Sequence, residues 1–310
     1  MVKNSKIPII VIGVGFLGEF HIKQILRINK FSLIGVYDKN KARLKKIALK
    51  YGLQEYSSID EAISNAEAVS IVVPTPIHHE VAIKALKKGC DIFIEKPISD
   101  CIENAIKIKD ANKTNKIIQI GHIERYNSAF IDLKKYNPSP KFIESHRLST
   151  YTNRGTEVSV IHDIMIHDID IINTLINSPI IKVNATGVAV VSDTIDIANA
   201  RIEFKNGSVA NMTASRISVK KMRKMRIFEK NRYFSIDFLK NIVELHSISN
   251  INQDIVSTKH SSESNNALYD ELNDFALAIM QRQGVSVDIN SAIHALSIAE
   301  KIENIILLDH

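Results

Sequence analysis

The chain has 310 residues, of which 45% are hydrophobic and 24% charged, and it carries a net charge of +6. No apolar run reaches the roughly 20 residues of a membrane span, and the composition is that of an ordinary globular protein. The length suits about two domains of roughly 100–200 residues each. Cys90 and Cys101 fall on expected core elements and read as reduced packing residues. With a short polar start, Met1–Lys6, that shows no secretory pattern, they point to a cytoplasmic protein without membrane insertion.

The first ~120 residues alternate strand and helix. Ile9–Ile12 is an unbroken apolar run and reads as a buried strand; Gly18–Asn29 has Ile22, Ile25 and Leu26 on one helical face. Phe31–Tyr37 is a second strand, and Lys41–Tyr51 a helix stopped by Gly52. Ser58 and Glu61 have capping-box spacing ahead of a short helix. Ala68–Val73 (strand), His78–Lys88 (helix), Asp91–Ile94 (strand), a helix from a Ser99 cap to Lys113, and Ile117–Ile120 (strand) complete the half. Such alternation implies right-handed crossovers and a doubly wound parallel sheet.

After Gly121 the pattern changes. Ile161–Leu175 reads as one helix. Strand-like runs follow at Ile180–Val191, Ala198–Phe204, Val209–Ser215, Met225–Phe228, Tyr233–Asp237 and Ile242–Leu245, with a hairpin turn at Lys205–Ser208. Strands without intervening helices imply an antiparallel sheet. Asn250–Asn266 is polar and reads as a mobile loop, and helices Leu268–Gln283 and Ser291–Leu308 close the chain. The fold expected is therefore α/β: a doubly wound domain over residues 1–120, then an α+β domain over 121–310 with a large, mainly antiparallel sheet.

Gly13-x-Gly15-x-x-Gly18 follows the first strand and opens a helix, the context in which such a turn cradles a pyrophosphate. Phe16 and Leu17 lie inside it. Asp38 ends the second strand, 20 residues past Gly18, where a carboxylate bonds ribose hydroxyls and repels a 2′-phosphate. NAD is the cofactor expected, with Lys39 weakening that preference slightly. Pro74 and Thr75 belong to a stiff, extended loop over the cofactor region. His78 either caps the next helix or shapes the nicotinamide pocket.

Glu95-Lys96-Pro97 puts a lysine at the carboxyl edge of the sheet, where ligands of open α/β folds bind. Lys96 is the expected catalytic cation, and Glu95 can anchor the backbone or pair a charge. His122, Arg125, Tyr126 and Asn127 begin where the parallel sheet ends and are expected to bind substrate, with inter-domain pairing as the alternative for Arg125 and Asn127. Asp163, His167 and Asp170 share one helical face. An acid–base pair, with Asp163 orienting His167, is the leading reading; a structural network and a metal site are weaker ones, and no metal is expected. The basic run Lys220–Arg226 reads as a solvated sheet edge or loop, or as a grip on a phosphorylated substrate; nucleic acid is least favoured.

Together, Gly13–Gly18, Glu95-Lys96-Pro97, Gly121–Asn127 and the Asp163/His167 pair resemble the glucose–fructose oxidoreductase, inositol dehydrogenase and MocA family over essentially the whole chain. The resemblance implies a Rossmann domain, a second domain whose open sheet serves homo-oligomerisation (dimer or tetramer), and catalysis by Lys96, Asp163 and His167. A narrower likeness rests on Gly121–Asn127, Thr213-Ala214-Ser215-Arg216 and the basic run. It is to the branch that oxidises the C3 hydroxyl of UDP-N-acetylglucosamine ahead of an aminotransferase in lipid A assembly. That likeness makes a nucleotide sugar the expected substrate and Arg216 a candidate ligand of its diphosphate. The chain departs from the family pattern at Thr75, where asparagine is frequent, and lacks a glycine pair before Asp163. A UDP-sugar acid, a free sugar or inositol is the alternative substrate; a non-catalytic NAD-binding sensor is the alternative function. In the leading reading the Lys96 ammonium and the His167 imidazole converge over one nicotinamide ring.

Overall fold

The computed structural model describes residues 5–152, 156–248 and 254–308. Met1–Asn4, and the Asn250–Gln253 part of the expected loop, lie outside the described residues. The first half runs β1 (Ile7–Ile12), α1 (Phe16–Ile25), β2 (Phe31–Tyr37), α2 (Lys41–Tyr51), α3 (Ile59–Ser64), β3 (Ala68–Ile71), α4 (His78–Lys87), β4 (Asp91–Glu95), α5 (Ile102–Ala111) and β5 (Ile118–Gly121). It continues with α6 (Ser128–Lys135), β6 (Phe142–Leu148), α7 (Ile166–Leu175), β7 (Ile180–Val188), β8 (Ile197–Phe204) and β9 (Val209–Ser215). Last come β10 (Met222–Glu229), β11 (Arg232–Asp237), β12 (Ile242–Ile248), β13 (Ile255–Ser261), α8 (Ala267–Gln281) and α9 (Ile289–Leu308).

Residues through Ile123 form one compact unit with Asn266–Ile293; Glu124–Asn265 form a second with the chain from His294. Helix α8 belongs to the first unit. Its Phe275 lies 5.9 Å from Phe93 and 6.2 Å from Phe31, ring centroid to centroid, in the core built on Ile9, Val11, Ile22 and Leu44. An apolar helix face far along the chain thus covers the sheet that the chain began.

In the first unit the order is β2-β1-β3-β4-β5, all parallel. Every strand therefore delivers its carboxyl end, and the residues after it, to one edge. Local chemistry explains the elements. Asn40 caps α2 by accepting the Arg43 N–H, and Gly52 ends it at φ +64°. Ser58 caps α3 as expected, and the Glu61 carboxylate returns to the N–H groups of both Ser57 and Ser58. Two local expectations fail. Helix α5 starts at Ile102 with Cys101 before it, while the Ser99 hydroxyl donates to the Cys101 carbonyl. The turn after β3 is not extended: Thr75–Ile77 is a single 3-10 turn.

The second unit carries an eight-stranded sheet, β13-β12-β11-β10-β6-β9-β8-β7. All its pairs are antiparallel except β6 with β9. Burial alternates cleanly along β6, β8 and β9, so one face packs and the other stays open. The packed face meets Phe130 and Leu133 of α6, Ile169 and Ile172 of α7, and Ile298, Ile302 and Ile306 of α9. Across the open face runs a row of stacked rings, Phe142, Phe228, Tyr233 and His246, at centroid spacings of 5.7, 5.5 and 4.3 Å. Ile255–Ser261 of the expected mobile loop is strand β13, which pairs with β12 along its length although every residue in it is exposed.

Candidate active site

The carboxyl edge of the first sheet collects the chemistry. Gly13 has φ +93°, and a Cβ there would sit 2.3 Å from the Val72 carbonyl oxygen. A Cβ on Gly18 would sit 2.0 Å from the Gly13 oxygen. Both positions require glycine to close the turn. Gly15 differs: a Cβ would meet nothing nearer than Arg43 Nη1 at 3.8 Å. Its backbone is open to a bound group, no side chain caps α1 there, and Phe16 and Leu17 beside it are exposed. After β2 the buried Asp38 carboxylate accepts the Val14 N–H at 2.9 Å and the Asn40 N–H at 2.8 Å. This ties the end of β2 to the glycine turn. An open glycine cradle at a helix N-terminus with an ionised acceptor on the next strand fits a dinucleotide.

After β3, Pro74 is exposed and Thr75 half-buried, whereas His78 is buried. Its Nδ1 lies 2.9 Å from the Pro97 carbonyl oxygen and its Nε2 2.8 Å from that of Val73. Burial pushes its pKa down. Both ring nitrogens of His78, an expected cofactor contact, thus face main-chain carbonyls, of which a neutral ring can donate to one. After β4, Lys96 is half-buried and precedes a cis bond to Pro97. Glu95 accepts a hydrogen bond from His21 Nε2 at 2.9 Å, and His21 Nδ1 lies 2.9 Å from Ser70 Oγ. His21 and Ser70 were not singled out in the sequence. The signal was a histidine on the inward face of an apolar helix, one turn after Gly18. His122 follows β5 and is buried.

In the second unit Ile161–Met165 is one π turn, closed by the Ile166 N–H on the Ile161 carbonyl, and only then does α7 begin. The expected single polar face splits accordingly. Asp163 and His167 are both half-buried, whereas Asp168 and Asp170 turn inward and are buried. Arg125 grips Asp170 with two nitrogens, at 2.7 and 2.6 Å. Arg147 spans Asp168 (2.9 and 2.7 Å) and Glu124 (2.7 Å), and Arg223 reaches the same Glu124 oxygen at 3.0 Å. Although burial disfavours its charge, the flanking Asp168 and Glu124 carboxylates push the Arg147 pKa up. Three arginines thus balance three carboxylates.

Three expected substrate ligands are committed elsewhere. Asn127 caps α6 by accepting the Ala129 N–H, and its amide donates to the Phe238 carbonyl at 3.2 Å. Arg216 is buried; it donates to the carbonyls of Val158 (2.7 Å) and Ile195 (2.8 Å) and lies 3.2 Å from Asp196. That takes it out of the diphosphate role. Arg125 has the buried partner just described, and Tyr126 is buried beside it. The cationic residues of the basic run are all exposed, with Lys220 and Lys221 solvated ahead of β10. The run enters the interior strand β10, where Arg223 turns to Glu124, Arg226 pairs Glu144 at 2.5 Å, and Lys224 lies 3.9 Å from Asp237. Among the described residues no cluster of three or more His, Cys, Asp or Glu is arranged to hold a metal.

A parallel sheet with a glycine cradle after β1, a carboxylate after β2 and a lysine after β4 defines a Rossmann oxidoreductase scaffold. Residues 7–122 match the family model described as an oxidoreductase family with an NAD-binding Rossmann fold, and residues 112–232 match the GFO/IDH/MocA C-terminal domain. The chain belongs to the Gfo/Idh/MocA oxidoreductase family. It is 38% identical over 238 residues, 76% of the chain and 75% of its relative, to UDP-N-acetylglucosamine 3-dehydrogenase of Acidithiobacillus ferrooxidans. The crystal structure of that organism's UDP-N-acetylglucosamine 3-dehydrogenase GnnA superimposes with a TM-score of 0.92 at 32% identity, covering 97% of this chain and 98% of the other. Scyllo-inositol 2-dehydrogenase (NAD(+)) of Bacillus subtilis is 28% identical over 228 residues, 67% of each chain. The parallel sheet followed by a large, mainly antiparallel one is the architecture expected from sequence.

Proposed function

We propose that the protein oxidises the C3 hydroxyl of UDP-N-acetylglucosamine. The observation that carries this reading is the 38% identity to a UDP-N-acetylglucosamine 3-dehydrogenase over 76% of the chain. The cofactor edge supports it, because the lysine directly follows β4 on the edge that carries the glycine cradle. NAD, held by Gly13, Gly15, Gly18 and Asp38, supplies the hydride acceptor. Lys96 hydrogen-bonds the C3 oxygen and stabilises the negative charge that develops there. His167, oriented by Asp163, takes the hydroxyl proton. The 3-keto product is a substrate for an aminotransferase, which places the step in lipid A or related glycan assembly in the cytoplasm. The open face of the eight-stranded sheet is the homo-oligomer contact. A second reading, oxidation of a polyol such as inositol, draws on the 28% identity to the scyllo-inositol enzyme.

The test is the absorbance of NADH during incubation with NAD and either UDP-N-acetylglucosamine or inositol. Turnover of the nucleotide sugar alone is expected. Lys96→Met should lower kcat by about 10²–10⁴-fold while NADH still binds. Normal catalysis in that variant removes Lys96 from the mechanism.

A further inference from the structure

Lys96 stands between two residues that buried histidines hold. Before it, Glu95 ends β4 in register with Gly121 of β5. A Cβ on Gly121 would lie 3.0 Å from the carboxyl carbon and both oxygens of Glu95, so that carboxylate rests on bare glycine backbone. On another side it meets His21, which has no exposed surface. A carboxylate only accepts, so Nε2 of His21 carries the proton, and Nδ1 is left to the hydroxyl of the equally buried Ser70 on β3. The His21 ring is further fixed edge-on against Phe93, 5.5 Å between centroids. After Lys96, the Pro97 carbonyl faces His78 Nδ1 at 2.9 Å, and the other nitrogen of that ring faces the Val73 carbonyl at 2.8 Å. One histidine is rooted in α1, the helix of the glycine cradle; the other opens α4.

We infer that His21 and His78 are positioning residues for Lys96, forming a bracket that sets the lysine relative to the glycine cradle. His21 acts through Glu95, and His78 through the Pro97 carbonyl. A lysine stem has four rotatable bonds and loses aim unless its backbone is held. Holding a reacting group in place is worth a large share of a rate, and a misplacement of about 1 Å can cost about 10²-fold. The bracket explains why the strand end carries glutamate and why its neighbour on β5 is glycine. It also explains two histidines that touch no exposed surface. The inference rests on the catalytic role proposed for Lys96.

The experiment compares wild type, His21→Leu, His21→Gln and His78→Leu by steady-state kinetics, NADH fluorescence titration and hydrogen–deuterium exchange of the segment around Lys96. His21→Leu and His78→Leu should lose about 10–100-fold in kcat, with KM for the nucleotide sugar and NADH affinity within about threefold of wild type. Exchange at Lys96 and Ile98 should rise in the same variants. His21→Gln keeps an N–H donor for Glu95 and should recover most of the rate and the protection; it also answers for a His21→Leu chain that fails to fold. A folded His21→Leu protein with wild-type kcat, or a fall in kcat without faster exchange, overturns the bracket and leaves the dehydrogenase reading standing. No turnover by wild type overturns that reading, and the bracket with it.

Discussion

Both carboxylate oxygens of Asp38 already accept backbone N–H groups, and Arg43 places a guanidinium nitrogen 3.7 Å from one of them. An ionised carboxylate offers about four acceptor sites, so capacity remains for ribose hydroxyls. Its charge repels a 2′-phosphate, while the half-exposed Arg43, close to the open face of Gly15, would attract one. Under the proposed function, the preference for NAD is a balance between these neighbours of opposite sign, with Asp38 as the proposed discriminator. Asp38→Asn keeps the shape and removes the charge. It should weaken NADH and strengthen NADPH binding, each by about tenfold, or about 1.4 kcal/mol. Fluorescence titration with both nucleotides measures this, and adding Arg43→Ala should reverse the NADPH gain. An unchanged ratio in Asp38→Asn would remove it as the discriminator.

At the scale of elements, the ion-pair lattice around α7 holds three buried carboxylates of the second unit, Glu124, Asp168 and Asp170, on arginines. Arg147→Met would leave Glu124 and Asp168 buried without their shared cation. Breaking a buried pair in this way costs about 3–5 kcal/mol. Urea unfolding followed by circular dichroism should show that loss, and Arg147→Lys a part of it, since one ammonium cannot reproduce the fork. A change under about 1 kcal/mol would mean that Arg223 replaces Arg147 on Glu124. This lattice was hard to read beforehand for a physical reason. In β6 the inward residues are Ile143, Ser145 and Arg147, so the apolar alternation that reveals β9 is missing and the strand went unseen. Strand β13 escaped because backbone pairing at a sheet edge forms it without burial, and its polar side chains look like loop. The glycine turn and the Glu95-Lys96-Pro97 strand end were legible, because their chemistry is local. The partners of Arg125 and Arg216 were not, because each is supplied from a distant part of the chain.

At the scale of the molecule, the two units hold different acid-labile groups, so acid should weaken them in sequence. In the first unit, burial depresses the pKa of His78 below its ordinary 6.5. Above that value both folded and unfolded chains keep the ring neutral, and its contribution to stability is complete. As pH falls below 6.5, the unfolded chain takes up a proton before the folded one does, and stability is lost down to the depressed folded value. In the second unit, burial alone would raise the Asp196 carboxyl. The N–H groups of Val191, Val190 and Ser192 and the Ser192 hydroxyl instead hold it at about 2, against an ordinary 3.8. Its contribution is complete above 3.8 and is lost only as pH falls toward about 2. Glu303, lowered by its bonds to His162 and Ser159 against the effect of burial, works in the same direction. Hydrogen exchange resolved by peptide, at about pH 7.5, 5.5 and 3.5, separates the two responses. Protection around β3, β4 and α4 should fall by about pH 5.5, while the β7–β8 turn that Asp196 organises should hold until about pH 3.5. His78→Leu should flatten the first response and leave the second unchanged. Loss of both regions together, at the pH set by the carboxylates, would show that His78 does not govern the acid stability of the first unit.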